Sequence, residues 1–218
     1  MLKHYDEPLV VDIGAHIGSF AVPIAKSIAG RQGAVICFEP QRITFLQLCA
    51  NIFLNRIDNC YPHNCAIADT DGVCEIPEID FYNCINASAF SMHQKYRELH
   101  GIEQAMRKET HSVPQLSLDS LEVDSLVSLV KIDVEGLELQ VLTGGIDLLS
   151  RNKFPPILLE AWGHDWFESE RSQLFDCITS IGYQLVRLGH SEYFAHHPEH
   201  YKNFCFQEEH GFMRLVCC

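Results

Sequence analysis

The apolar positions of this chain alternate between short unbroken runs and helical spacings. Residues 9–11 form an apolar run, and the β-branched pair Val10–Val11 favours a strand. Asp12 interrupts it, Gly14 and Gly18 follow, and Phe20, Ile24 and Ile28 then recur at helical spacing. That order reads as a buried strand, a tight glycine turn and a helix, which Gly30 and Gly33 break. Residues 34–38 are a second apolar run, stopped by Glu39–Pro40. A helix is expected over 41–55, with Ile43, Leu46, Leu48, Phe53 and Leu54 as a broad buried stripe. Residues 61–68 read as a third, weaker strand, and 69–72 as a turn.

The rhythm then falters. Residues 73–76 and 113–118 suit short strands, 83–92 a loop, and 94–108 an exposed helix of alternating charge. The irregular insertion at about 77–112 is a natural cover for a substrate, or equally a surface excursion. From Leu126 the rhythm returns. A strand ends in Asp133, Glu135 and Gly136, and a helix is expected over 138–149 with Leu142, Ile146 and Leu149 on one face. Pro155–Pro156 introduces a strand ending at Glu160 and Trp162. A helix over 168–181 stops at Gly182. Residues 183–188 form a strand, and the tail, including 213–217, supplies one or two more. No internal repeat or low-complexity linker is present.

Strands alternating with helices imply a parallel sheet covered on both faces. Right-handed crossovers bring the strand ends to one rim. Asp12, Glu39, Asp133 and Glu160 then share that rim, and four acids at equivalent strand ends are not a packing pattern.

Composition narrows the partners. A chain of 218 residues with 47% apolar content suits a single domain, 1–218, with a full-sized core. The net charge of -13 disfavours nucleic acid and acidic membranes as partners. The 10 cysteines are scattered, without C-x-x-C spacing, and read as reduced thiols packed as small apolar residues. Cys60, His63 and Cys65 cluster in sequence, as do His196, His197 and His200, but neither group has finger-like spacing for zinc. No stretch reaches the about 18 unbroken apolar residues of a membrane span, and the start does not resemble a secretory signal. The cytoplasm is the expected location. The first strand begins at residue 9, so a helix before it is expected to be short or missing.

The glycine turn carries the chemistry. A dinucleotide fingerprint is G-x-G-x-x-G after a strand, but here position 16 is histidine and Asp12 precedes the turn. A pyrophosphate needs helix amides without a nearby carboxylate. Asp12 suits a ligand with a positive end, although a strand-to-helix turn of any α/β protein is the plainer alternative. Glu39 ends the second strand, 21 residues beyond Gly18, where an acid accepts hydrogen bonds from both ribose hydroxyls. A ribose clamp without a phosphate cradle fits S-adenosylmethionine, a nucleoside with a sulfonium and an amino-acid tail.

On these residues the chain resembles a known family. VDIGAHIGSF, FEPQRITFLQLCANIFLN, CAIADTDG, LSLDSL and VKIDVEGLELQVLTGG occur in order over about residues 9–150 and are similar to the FkbM family of S-adenosylmethionine-dependent methyltransferases. The resemblance implies an α/β fold of the class I methyltransferase (Rossmann-like) type. Its seven-stranded, mostly parallel sheet has helices on both faces and an antiparallel last strand. It further implies O-methylation of a hydroxyl on a sugar or secondary metabolite. Carried over by position, Asp12, Gly14, Ala15 and Gly18 line the methionine part of the cofactor and Glu39 holds the ribose. Asn64, Ala66 and Ile67 lie near the adenine, and Asp133 stands close to the methyl group.

Methyl transfer to a hydroxyl needs alignment of the acceptor oxygen and removal of its proton. Asp133 is the first candidate base, then His164 and Glu160, while Trp162 and Trp166 are candidate walls of the acceptor site or simply core. Asp133, Glu135 and Glu160 carry the oxygen ligands that Mg²⁺ prefers, but without a close Asp–Asn pair no metal is expected. Two alternatives stay open: a nucleotide-dependent oxidoreductase on a similar sheet, and a non-catalytic binding or interaction protein that keeps the fold.

Overall fold

A computed structural model of the chain describes residues 2–80, 91–100, 106–198, 204–209 and 212–217. After one 3-10 turn, Leu2–His4, the first strand β1 spans Leu9–Ile13, and all five of its residues are buried. Burial of consecutive residues means that both faces of the sheet are covered there. Then come α1 (Ala21–Ile28), β2 (Ala34–Phe38), α2 (Arg42–Leu54), β3 (Cys60–His63), β4 (Ala66–Ala68), β5 (Gly72–Ile79), α3 (Gln94–His100) and β6 (Met106–Ser117). The second half holds β7 (Val127–Ile132), α4 (Glu138–Thr143), α5 (Ile146–Arg151), β8 (Ile157–Glu160), α6 (Glu168–Ser180), β9 (Gln184–Arg187) and β10 (Glu192–His196). A hairpin, β11 (Phe204–Glu209) and β12 (Phe212–Cys217), ends the described chain.

Seven strands form the main sheet in the order β3–β2–β1–β7–β8–β10–β9. β1, β2, β3, β7 and β8 pair in parallel, and β10 is antiparallel to both β8 and β9. On one face Val10, Val35, Cys37 and Leu129 pack with α1 and α2 through Ala21, Ala25, Leu48 and Ile52. On the other, Val11, Ile13, Val130 and Ile132 pack with Val141, Leu142, Leu148, Leu149, Leu174 and Ile178 of α4, α5 and α6. The layered α/β fold and the antiparallel strand agree with expectation. Among the described residues, no helix is long and apolar enough to cross a membrane.

Several boundaries differ, each for a local reason. The expected strand over 61–68 is two strands in different sheets. Between them the Asn64 amide donates to the carbonyls of Glu39 and Pro40, each at 2.9 Å, and turns the chain out of the main sheet. β4 then pairs in parallel with β6, and β5 pairs antiparallel with β6, making a small three-stranded sheet. Of the expected helix over 94–108, Gln94–His100 is helical, and from Met106 the chain is a strand of that sheet. Most of the expected loop over 83–92 lies outside the described residues.

The expected helix over 138–149 is two helices. A Cβ on Gly144 would lie 2.3 Å from the Ala68 carbonyl oxygen, so the chain bends where only glycine fits. The break leaves Ile146 exposed. α2 is the largest departure. Thr44, Leu48 and Ile52 are its buried residues, whereas Leu46, Phe53 and Leu54 face solvent. The helix is apolar all round, so periodicity alone does not select the buried side. Finally, β10 completes the main sheet, and 212–217 pairs with 204–209 instead.

Candidate active site

The site is built on β7. Its sequence VSLVKI carries a single charge, Lys131, whose side chain is 12% exposed. β1 lies alongside, with Asp12 in register with Lys131. The Lys131 ammonium donates to the Gly14 carbonyl at 2.9 Å and meets Asp12 Oδ1 at 3.1 Å and Asp133 Oδ2 at 3.2 Å. The Gly14 contact is a hydrogen bond, whereas Asp12 and Asp133 hold the ammonium as ion pairs. Burial acts to lower the Lys131 pKa, but Asp12 and Asp133 overcome it and hold the ammonium protonated. Asp12 is fully buried. Burial pushes its carboxyl upward while Lys131 pulls it back.

The turn after β1 is fixed by the same neighbours. The amides of Gly14 and Ala15 both donate to the Phe38 carbonyl at 3.0 Å. Gly14 has φ +76°, and a Cβ there would sit 1.8 Å from the Asp133 carbonyl oxygen. Only glycine permits that contact between the turn and the end of β7. The His16 amide then points at Glu39 Oε2 (2.9 Å), while the Gln41 amide reaches Glu39 Oε1 (2.9 Å). Burial pushes the Glu39 carboxyl up to about 7 despite these two bonds.

Beyond β7 the chain turns back on itself at Glu135 (φ +55°) and Gly136 (φ +96°). A Cβ on Gly136 would meet the Trp162 ring at 2.7 Å. The buried Glu138 holds this turn, its Oε1 accepting from the amides of Val134 (3.1 Å) and Gly136 (3.2 Å). Burial pushes the Glu138 carboxyl up to about 7. Ser91 donates its hydroxyl to the Glu135 carbonyl, which ties the chain before α3 to the turn. Carboxylate oxygens of Asp133, Glu135 and Glu160 lie within 4.8 Å of one another. Burial first, then the Glu160 and Asp133 charges, raise Glu135 to about 8. Glu160 is also raised by burial, against a 2.8 Å bond from the Ser191 hydroxyl. The three acids are close enough to share a cation.

A cavity of about 590 Å³ opens at the carboxyl ends of β1, β2, β4 and β7. That volume lies in the roughly 300–1,000 Å³ range of small-molecule sites, at the crevice where open α/β sheets bind ligands. Gly14, Glu39, Ala66, Ile67 and Asp133, all expected around a cofactor, line it. Asp12, Ala15, Gly18 and Asn64 stand behind its wall. Asp12 is locked to Lys131, Ala15 packs into the core with α1 and α2, Gly18 closes on Leu48, and Asn64 spends its amide on the Glu39–Pro40 backbone. Asp133 and Glu135 line the cavity with Lys131, and Asp12 is not among its lining residues.

Of the expected bases, Asp133 lines the cavity and Glu160 adjoins it through the carboxylate cluster. His164 stands apart, stacked on Trp166 with ring centroids 5.4 Å apart. Trp162 is buried and stacks on Tyr96 at 4.2 Å. Lys131, Glu138 and Ser91 were not among the expected site residues. Lys131 had a signal, a lone charge inside an apolar strand. Glu138 and Ser91 had none, because their partners are backbone groups of the turn.

The strand order, the antiparallel β10 and a cavity at the ends of β1, β2 and β7 define a class I methyltransferase fold. The family profile described as Methyltransferase FkbM domain matches residues 12–213, and the chain belongs to that family. Methyltransferase 1 of Beauveria bassiana (strain ARSEF 2860) is 28% identical over 152 residues, which cover 64% of this chain and 59% of that protein. The crystal structure of Methyltransferase FkbM from Methylobacillus flagellatus KT is similar with a TM-score of 0.54 and 19% identity, over 88% of this chain and 44% of that one. The chain thus spans less than two thirds of either relative.

Two outcomes follow for the buried charges. Lys131→Met leaves Asp12 buried without its cation and is expected to cost about 3–5 kcal/mol in urea unfolding. The pair Asp12→Asn with Lys131→Met should recover about half of that loss or more, and a single-variant cost below about 1 kcal/mol would refute the pairing. Glu39 and Glu138 have carboxyl pKa values raised from 4.5 to about 7. Their contribution to stability is therefore full below 4.5 and is lost as pH rises through about 7. The urea midpoint should fall between about pH 5 and pH 8, and Glu138→Gln should flatten that slope. A midpoint that rises over this range contradicts the assignment.

Proposed function

We propose that this chain is an S-adenosylmethionine-dependent O-methyltransferase whose acceptor is a hydroxyl of a sugar or secondary metabolite. One observation carries the reading: Glu39, Asp133 and Glu135 line the cavity, and its one lysine is already held by Asp12, Asp133 and the Gly14 carbonyl. Such a wall suits a phosphate-free nucleoside with a positive centre and opposes a pyrophosphate, which counts against the oxidoreductase alternative. S-adenosylmethionine supplies the methyl group on a sulfonium that leaves without protonation.

Each residue then has a task. Glu39 keeps acceptor capacity on both oxygens beyond its two amide bonds and takes the ribose hydroxyls. Ala66 and Ile67 offer a small apolar wall to the adenine. Asp133 faces the cationic end of the cofactor and directs the acceptor hydroxyl. Of the three clustered acids Asp133 alone pairs with Lys131 among the described residues. Burial strengthens the hold of Glu135 and Glu160 on a proton, and the one of the two that is ionised accepts it from the hydroxyl. His164, exposed and off the cavity wall, is the least suited of the expected bases.

Titration calorimetry with S-adenosylhomocysteine tests the reading. The chain is expected to bind it, and Glu39→Ala should weaken binding by about 1.5–3 kcal/mol. An unchanged affinity would show that Glu39 does not hold the ribose, and no binding at all would remove the methyl-donor reading. With a panel of hydroxylated acceptors, Glu135→Gln should cut turnover while affinity for S-adenosylhomocysteine, whose sulfur is uncharged, holds. Binding without turnover in the unaltered chain would favour the non-catalytic alternative.

A further inference from the structure

The second helix presents the wrong face to water. α2 is apolar all round, and its buried residues Thr44, Leu48 and Ile52 already seat it on the sheet. On the outer side Leu46 is 51% exposed, Phe53 81% and Leu54 74%, with Ala50 exposed between them. Positions 46, 50, 53 and 54 lie next to one another along one side of a helix, so these side chains form one strip. Scattered exposed apolar residues need no explanation, but a continuous strip does.

Charge is sorted in the same place. Residues 13–57, which make up the turn, α1, β2 and α2, contain one acid, the buried Glu39, against Lys26, Arg31, Arg42 and Arg56. The net charge of -13 is therefore carried elsewhere in the chain. Lys26 donates to Asn55 Oδ1 at 2.7 Å, which sets its ammonium at the end of α2 beside Leu54 and Arg56. Among the described residues Lys26, Arg31 and Arg56 have no carboxylate partner. Arg42 has only a loose one, Glu78 at 3.9 Å. Asp58, two residues past Arg56, is the nearest acid in sequence on that side.

We propose that the outer face of α1 and α2 is a peripheral membrane-docking surface, with Leu46, Phe53 and Leu54 entering an anionic bilayer interface and Lys26, Arg42 and Arg56 meeting its headgroups. Phe53 and Leu54 stand out into solvent, so they suit a soft surface that admits side chains better than a rigid partner. Interfacial helices combine large apolar side chains with flanking lysine and arginine in this way. A second copy of the chain fits less well. Antiparallel packing of α2 on its twin brings Arg42 against Arg56 of the other copy, and parallel packing sets each arginine beside its like. The expectation from net charge is reversed locally, because beyond about 8 Å of salt solution the acids elsewhere are screened.

Sedimentation of the full chain with sucrose-loaded vesicles tests this. The chain should sediment with phosphatidylcholine vesicles containing phosphatidylserine, and far less with phosphatidylcholine alone or at high salt. Phe53→Asp and, independently, Leu46→Asp should lower the partition by at least about tenfold, and Arg56→Gln by about fivefold. Val73→Asp, at an exposed apolar position on β5, should leave it unchanged. Melting curves of the variants check that they remain folded. No sedimentation at about 0.15 M salt, or sedimentation indifferent to both Phe53→Asp and Leu46→Asp, overturns the proposal. So does a lipid-free dimer that Phe53→Asp dissolves, which would assign the face to a second copy.

Discussion

One ammonium group holds the centre of this molecule together. Lys131 rises from the middle of the sheet, donates to the Gly14 carbonyl and pairs with Asp12 and Asp133. These acceptors belong to the strand β1, the turn after it and the end of β7. Every other feature of the site refers to that knot. The Gly14 contact sets the turn, the turn aims the His16 amide at Glu39, and Asp133 marks where the floor of the cavity meets the acid cluster. Burying the Asp12 carboxylate beside the Lys131 ammonium is costly unless the two are paired. Here the ammonium is committed to Asp12, Asp133 and the Gly14 carbonyl.

That economy of positive charge decides what the cavity can hold. Glu39, Asp133 and Glu135 line it, and its one lysine is already paired. Amides supply what the carboxylates need: Glu39 takes two and Glu138 takes two. The backbone thus fixes the acids without neutralising them. A neutral or positive ligand with hydroxyl donors meets the groups as they stand.

Much of this was legible locally. A buried strand that stops at an acid or glycine is a short-range pattern, and Gly14, Glu39 and Asp133 all fall where that pattern put them. Ala66 and Ile67 also line the cavity, though they reach it from a different sheet than periodicity suggested. Asp12 shows the limit of local reading. Its position on β1 was right, but its partner lies more than a hundred residues away, and no local pattern reveals that pairing. Asn64 is similar, since its amide is committed to backbone carbonyls that no spacing rule reveals. α2 shows a different limit. With apolar residues on every side, burial is set by what the sheet offers, and the exposed half becomes visible only once the helix is seated.

A crystal structure of the chain with S-adenosylhomocysteine tests the central claim most directly. The ribose hydroxyls should lie within hydrogen-bond distance of Glu39, the sulfur should face Asp133 and Glu135, and Lys131 should still bind Asp12, Asp133 and the Gly14 carbonyl. A ligand seated elsewhere, or a Lys131 that leaves Asp12 to bind it, would contradict the account.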